Sequence, residues 1–252
     1  MSAFDSKDII LITGASSGIG RQVCQDLNKS GAFVIAVAKD THKLESLHSE
    51  IEFPNNFAIE QKDLSTEPEK LDIWIKDISK KYGKLYGLGL IAGIQNISPV
   101  SGIKSSVLNE ILNVNLVSNI YLSKGFIDKR VNRGNGSSIV FMSSISSIKG
   151  EAGLSMYSTT KGGLNSFAKS LAKESAPHGI RVNTILAGLV KTDLIEKWSS
   201  IYTAEYLDKA ENDYPLGISS PEDISSKILF LLSNKSSKMT GSEILVDGGI
   251  TL

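Results

Sequence analysis

Short, almost continuously apolar runs alternate with stretches of helical periodicity along nearly the whole chain. Residues 8–13 (DIILIT) form the first run, followed by a glycine-punctuated turn and a helical pattern through Ser30. FVIAVA at 33–38 reads as a buried strand, and Leu44, Leu47 and Ile51 mark a helix over 41–51. A weaker strand, FAIEQ, leads to Asp63, and a helix follows over about 67–82. LYGLGLIAG is a fourth strand, a long helix covers roughly 104–128, and SSIVFM is a fifth strand. A helix over about 155–175, the strand IRVNTIL and a last strand, EILVDGG, complete the pattern.

Strands apolar on both faces, each followed by a helix, predict a parallel sheet covered on both sides. Right-handed crossovers make that sheet doubly wound, an α/β fold of the Rossmann-like kind with about seven strands in a single domain. No repeat, linker or compositional break divides residues 1–252. The least regular part is 193–215, with Trp198, Tyr202, Tyr206 and Tyr214. It is too long for an ordinary connection. Its readings are a substrate lid or a pair of surface helices, and ligand binding at the carboxyl ends of the strands favours the lid.

Composition narrows the function. Lys+Arg and Asp+Glu balance at 27 each, so neither nucleic acid nor an anionic membrane is indicated as a partner. The single cysteine, Cys24, excludes an internal disulfide and sits in an apolar helix pattern that suggests packing. No apolar run approaches ~18 residues and no signal-peptide pattern opens the chain, so the expectation is a soluble cytoplasmic protein. The three histidines show no metal-ligand spacing.

TGASSGIG at 13–20 carries the first chemistry. Gly14, Gly18 and Gly20 permit a tight turn, close approach of backbone to a phosphate, and close packing of helix on strand. The free N–H groups and dipole of the helix that follows make an anion site. Between a strand and a helix, this turn points to a dinucleotide. At the end of the second strand an acid would select NAD(H) and a base NADP(H). Lys39 follows the apolar run directly and Asp40 comes next. The reading is contested, and the position of Lys39 at the crevice favours NADP(H).

Tyr157 and Lys161 lie four positions apart in MYSTTKGG, on one helix face. With TGASSGIG upstream, the chain resembles the short-chain dehydrogenase/reductase superfamily. The resemblance extends through DL at 63–64, NVNL at 113–116, IVFMSS at 139–144, IRVNTILAGLVKT at 180–192, YPLG at 214–217 and TGSEILVDGG at 240–249. Within the family the pattern is similar to bacterial 3-oxoacyl-carrier-protein reductases and small NADPH carbonyl reductases. It implies a catalytic set of Asn115, Ser144, Tyr157 and Lys161, with Ser143, Ser146 and Ser147 close enough to compete with Ser144. It also implies cofactor contacts from Ser16, Ser17 and Ile19 beside the glycines, and from Asp63, Leu64, Ala92, Gly93, Gly188, Val190 and Thr192.

The chemistry suits these residue types. A ketone that accepts hydride needs a proton on oxygen, and Tyr157 can donate it. A phenol has an ordinary pKa of about 10. Lys161 and the cationic nicotinamide are expected to lower it, and a fall of about three pH units is roughly 4 kcal/mol. Ser144 can hydrogen-bond the substrate oxygen. By resemblance, Lys161 also holds the nicotinamide ribose and Asn115 keeps a relay water. Gly162 and Gly163 inside the helix each cost about 1 kcal/mol relative to alanine. Close packing compensates: the resemblance implies a homo-oligomer, a tetramer or dimer, with this helix packed across a subunit interface, and the alternative is close packing on the chain's own sheet.

Two departures stand out. The family's N-N-A-G reads Leu90-Ile91-Ala92-Gly93 here, which removes polar contacts that tie the sheet. Its P-G after the sixth strand reads Ala187-Gly188, which removes a φ restraint beside the nicotinamide. The leading expectation is an NADP(H)-dependent reductase of a ketone or acyl thioester. The alternatives are NAD-dependent oxidation of a sugar or other secondary alcohol, and a non-catalytic nucleotide-binding protein.

Overall fold

In the computed structural model, residues 4–193 and 201–252 are described. Seven parallel strands form one sheet in the order β3-β2-β1-β4-β5-β6-β7. They are β1 (Ile9–Thr13), β2 (Phe33–Ala38), β3 (Phe57–Gln61), β4 (Gly87–Leu90), β5 (Ser138–Ser144), β6 (Arg181–Ala187) and β7 (Glu243–Val246). The helices are α1 (Gly18–Lys29), α2 (Thr41–Ser49), α3 (Leu71–Tyr82), α4 (Ser105–Leu112), α5 (Ser118–Phe126) and α6 (Ser155–Ser175). Two more follow, numbered α7 (Ala204–Asp213) and α8 (Pro221–Leu232).

The register explains the continuous apolar runs. Ile10, Ile12, Val34 and Ala36 face one core with Val23, Leu27, Ile224 and Ile228 from α1 and α8. Leu11, Ile35, Val37 and Leu88 face the other, against α3, α5 and α6. Alternate residues of each central strand therefore enter opposite cores, and neither face tolerates polarity. Cys24 lies fully buried in the first core, where desolvation raises its thiol pKa. Among the described residues, no helix is long and apolar enough to cross a membrane.

Strand order reverses direction at β1, whose neighbours are β2 and β4. The crevice outside the carboxyl ends at this switch point is where a doubly wound sheet binds ligands. The long helix expected over 104–128 is interrupted by a π-helical segment, Asn113–Val117, between α4 and α5. The extra residue per turn there carries Asn115 into the interior.

Candidate active site

A cavity of about 560 Å³ opens along the carboxyl ends of the strands. Each cofactor contact expected from the sequence lines it: Gly14, Ser16, Ser17, Gly18, Ile19, Gly20, Lys39, Asp63, Leu64, Ala92, Gly93, Gly188, Val190 and Thr192. Ser144, Tyr157 and Lys161 line it as well. Asn115 stands behind this wall, fully buried.

The glycine turn is shaped by contacts that exclude side chains. Gly14 has φ +70°, and a Cβ there would lie 2.8 Å from the Cα of Ala92. A Cβ on Gly20 would lie 2.2 Å from the carbonyl oxygen of Gly14, so helix α1 can seat on the turn only with glycine there. Ser17 caps α1 in extended conformation without a side-chain hydrogen bond, and no acid occupies the first turn. The helix thus presents free N–H groups and its positive end to the cavity, a cradle that fits a pyrophosphate.

At the far end of the cavity, Lys39, Lys43 and Lys62 line the wall. Their ammonium groups form no ion pair among the described residues, while Asp40 is not among the residues lining this cavity. Its carboxylate accepts from Lys43 N at 3.1 Å as the N-cap of α2. Asp63 is also engaged, accepting from Ser65 N at 2.8 Å and Ser65 Oγ at 2.7 Å. These bonds, with the charges of Lys39 and Lys62, hold its carboxyl below the usual range. This end of the cavity is basic.

Among the serines at the end of β5 and just after it, geometry separates the roles. The Ser144 hydroxyl lies beside the Tyr157 phenol and opposes the upward shift of its pKa; it donates to Ser146 Oγ at 3.2 Å and accepts from Ser146 N at 3.1 Å. Ser143 turns away and donates to Lys161 O at 3.3 Å. Ser147 donates to Ser144 O at 2.6 Å and accepts from Asn165 Nδ2 at 2.9 Å. A chain of hydrogen bonds from α6 therefore holds the backbone of Ser144.

The expected depression of the Tyr157 phenol is not what the chain's own groups produce. Burial pushes its pKa up to about 12, with the Ser144 hydroxyl acting in the opposite direction. Lys161 Nζ is 5.5 Å from the centroid of the Tyr157 ring and donates to Met142 O at 2.7 Å. Its own pKa is lowered to about 8 by burial. Desolvation disfavours charge on both members of the pair and is the largest effect on each. Tyr157 is accordingly protonated, the form a proton donor requires.

Asn115 is held on every side. Its Oδ1 accepts from Ile94 N at 2.8 Å, its Nδ2 donates to Ile94 O at 2.8 Å and Thr160 Oγ1 at 3.2 Å, and its carbonyl accepts from Asn119 at 2.7 Å. The side chain therefore fastens the loop after β4 to the π-helical segment and to α6.

Both departures from the family pattern are compensated. Thr13 Oγ1 accepts from Ile91 N at 3.0 Å and Ala92 N at 3.2 Å, tying β1 to the strand end where the asparagines are missing. Leu90 and Ile91 join the core. Beside Ala187-Gly188, Tyr214 Oη accepts from Leu189 N at 3.0 Å and Gly188 N donates to Val246 O at 3.0 Å. Hydrogen bonds here take over the restraint that a proline would supply. Gly163 packs on Leu116, whose side chain would lie 3.3 Å from an added Cβ.

Within the irregular segment, Tyr202, Tyr206 and Tyr214 line the cavity, Tyr206 from within α7 and the other two from either side of it. Trp198 lies outside the described residues. Sequence reading did not single out Lys43, Lys62, Gln95 or Glu151, which also line the cavity. Lys62 could have been found beside Asp63, at the end of a strand. The others sit in no motif and reach the cavity only through folding.

A family model described as enoyl-(acyl carrier protein) reductase matches residues 14–251. The chain belongs to the short-chain dehydrogenase/reductase family. It is an oxidoreductase of that family, and its relatives differ in substrate. It is 33% identical over 243 residues to a 3-oxoacyl-[acyl-carrier-protein] reductase of Rickettsia conorii, covering 96% of each chain. It is 31% identical to an L-rhamnose 1-dehydrogenase (NAD(P)(+)) of a Sphingomonas strain, covering 96% of this chain and 95% of that one. Among solved structures, a short-chain dehydrogenase/reductase from Brucella melitensis, named glucose/ribitol dehydrogenase, superposes with a TM-score of 0.90 at 26% identity. That match covers 99% of this chain and 98% of the other.

Proposed function

We propose that this short-chain dehydrogenase/reductase is an NADP(H)-dependent enzyme that reduces a ketone or 3-oxoacyl thioester to the secondary alcohol, with Tyr157 as proton donor. The observation that carries this reading is convergence. The protonated Tyr157 phenol, its Ser144 partner and buried Lys161 share one cavity with the glycine cradle. The nicotinamide supplies the hydride when bound. Gly14, Gly18 and Gly20 with the N-terminus of α1 hold the pyrophosphate, and Lys39, Lys43 and Lys62 meet the 2′-phosphate. Ser144 donates a hydrogen bond to the substrate oxygen, and Tyr157 gives up its proton as charge develops there. Lys161 stands beside Tyr157 as a nearby cation for the ribose, and Asn115 holds the strand end that shapes this corner.

The position of Asp40 outside the cavity lining weighs against NAD(H) selection, and the intact Tyr157–Lys161 pair weighs against a non-catalytic protein. We place the enzyme in the cytoplasm as a homo-oligomer, a dimer or tetramer, which light scattering would test. Activity is tested with ketones and acyl thioesters, using NADPH and NADH, followed at the nicotinamide absorbance. Tyr157→Phe is expected to lose at least about 100-fold in kcat, the scale of general acid catalysis. Equal turnover by variant and wild type would sink the mechanism.

A further inference from the structure

The half of the cavity beyond Tyr157 is furnished with polar groups that the proton transfer does not use. Gln95 reaches it from the loop after β4, Glu151 from the loop before α6, and Tyr202 and Tyr206 from the segment around α7. Gln95 Nε2 donates to Tyr202 Oη at 3.1 Å. That bond leaves the Gln95 carbonyl oxygen as an acceptor and the Tyr202 proton as a donor, both available to a ligand. The Tyr202 and Tyr206 rings meet edge to face, with centroids 5.4 Å apart, which fixes where the Tyr202 hydroxyl stands. The Glu151 carboxylate forms no hydrogen bond or ion pair among the described residues. Its charge reaches Tyr202, Tyr206 and Tyr214 and disfavours ionisation of each.

A hydrocarbon chain could touch Ile94, Leu154 and Leu189 in the same cavity, but laid across these polar groups it would strip water from a carboxylate, an amide oxygen and a phenol and return no hydrogen bond. A chain of hydroxylated carbons would restore a partner to each. A carboxylate accepts from two neighbouring hydroxyls, the Gln95 oxygen accepts another, and Tyr202 donates to a hydroxyl oxygen. An ammonium group would satisfy Glu151 alone. Resting on the reading that Tyr157 protonates a carbonyl, we propose that the substrate is a small polyhydroxylated carbonyl compound of sugar type, and that Glu151 is its specificity-determining residue. Sites built around hydrogen bonds to substrate hydroxyls reject analogues that lack them far more strongly than apolar pockets discriminate size.

The test compares kcat/KM with NADPH for four probes: erythrulose, 2-butanone, 4-amino-2-butanone and the acetoacetyl thioester of N-acetylcysteamine. Wild type is expected to favour erythrulose over 2-butanone by at least about 100-fold. Glu151→Gln is expected to cut that ratio about tenfold, because a charge-assisted bond becomes a neutral one. NADPH affinity, read by fluorescence titration, should be unchanged. Preference for 2-butanone or the thioester overturns the proposal, as does a ratio that Glu151→Gln leaves alone. Preference for the aminoketone overturns it in favour of a cation site. Binding of erythritol to the NADP-loaded protein, followed by saturation-transfer NMR, reads the same surface without turnover. Erythritol binding weakened in Glu151→Gln, with none of the carbonyls reduced, would support the recognition surface and sink only the carbonyl-reduction reading. No erythritol binding sinks the proposal itself.

Discussion

Replacing Lys161 with methionine should make the protein more stable while abolishing its activity. The lysine is 2% exposed, and burial lowers its pKa from 10.5 to about 8. At about 1.36 kcal/mol per pH unit, carrying the proton in the folded state at pH 7 is unfavourable by roughly 3 kcal/mol. Methionine has a similar length and no charge to desolvate. Against this gain stands the bond from Nζ to Met142 O, 2.7 Å long, whose net contribution is about 1 kcal/mol. The expected balance is a stabilisation of about 2 kcal/mol at pH 7. Its pH dependence has a definite sign. Between about 8 and 10.5 the unfolded lysine keeps its proton where the folded one has lost it, so wild-type stability rises with pH across this window. The full penalty is present below about pH 8 and fades above it. The gap between variant and wild type should therefore narrow from pH 8 and be nearly closed by about pH 10. Urea unfolding at intervals between pH 7 and 10 measures this directly. A variant less stable than wild type at pH 7, or a gap that does not move with pH, would refute the argument that desolvation dominates Lys161.

The remaining predictions concern the cradle, the basic end and the support of Ser144. Gly20→Ala places a Cβ 2.2 Å from Gly14 O, so a thermal melt should show a loss of about 1–3 kcal/mol, with NADPH binding weakened in titration; wild-type affinity and stability would mean the turn is not packed as described. Lys39→Asp should shift the ratio of kcat/KM for NADPH over NADH toward NADH by at least about tenfold, and Lys62→Gln by less, with the preference fading at high salt. An unmoved ratio in both variants would remove the assignment of the basic end to a 2′-phosphate. Asn165→Leu removes the donor to Ser147 and loosens the hold on Ser144, so kcat should fall about tenfold while NADPH affinity stays constant; a parallel loss of NADPH affinity would instead indicate general damage to α6.

Much of this protein was legible before folding. The seven strands follow from apolar runs that must be buried on both faces. The anion cradle follows from three glycines between a strand and a helix, and Tyr157 with Lys161 from their spacing on one helical face. These are local signals, because the backbone responds to its own sequence over a few residues. What tertiary structure decided is pairwise and long-range. Only the fold shows that Asp40 caps α2 outside the cavity lining while Lys62, just after β3, joins Lys39 at the cavity wall. Only packing reveals that Thr13 and Tyr214 replace the missing asparagines and proline, or that Leu116 fills the space above Gly163. Among the chain's own groups it is burial that moves the Tyr157 pKa, and it moves it upward, so the expected lowering rests on the nicotinamide's charge. Sequence spacing names a neighbour's charge, but burial sets the dielectric in which that charge acts. Gln95, Glu151 and Tyr202 lie far apart in the chain and meet in one cavity because the parallel sheet brings its strand ends, and the loops that follow them, to the same edge.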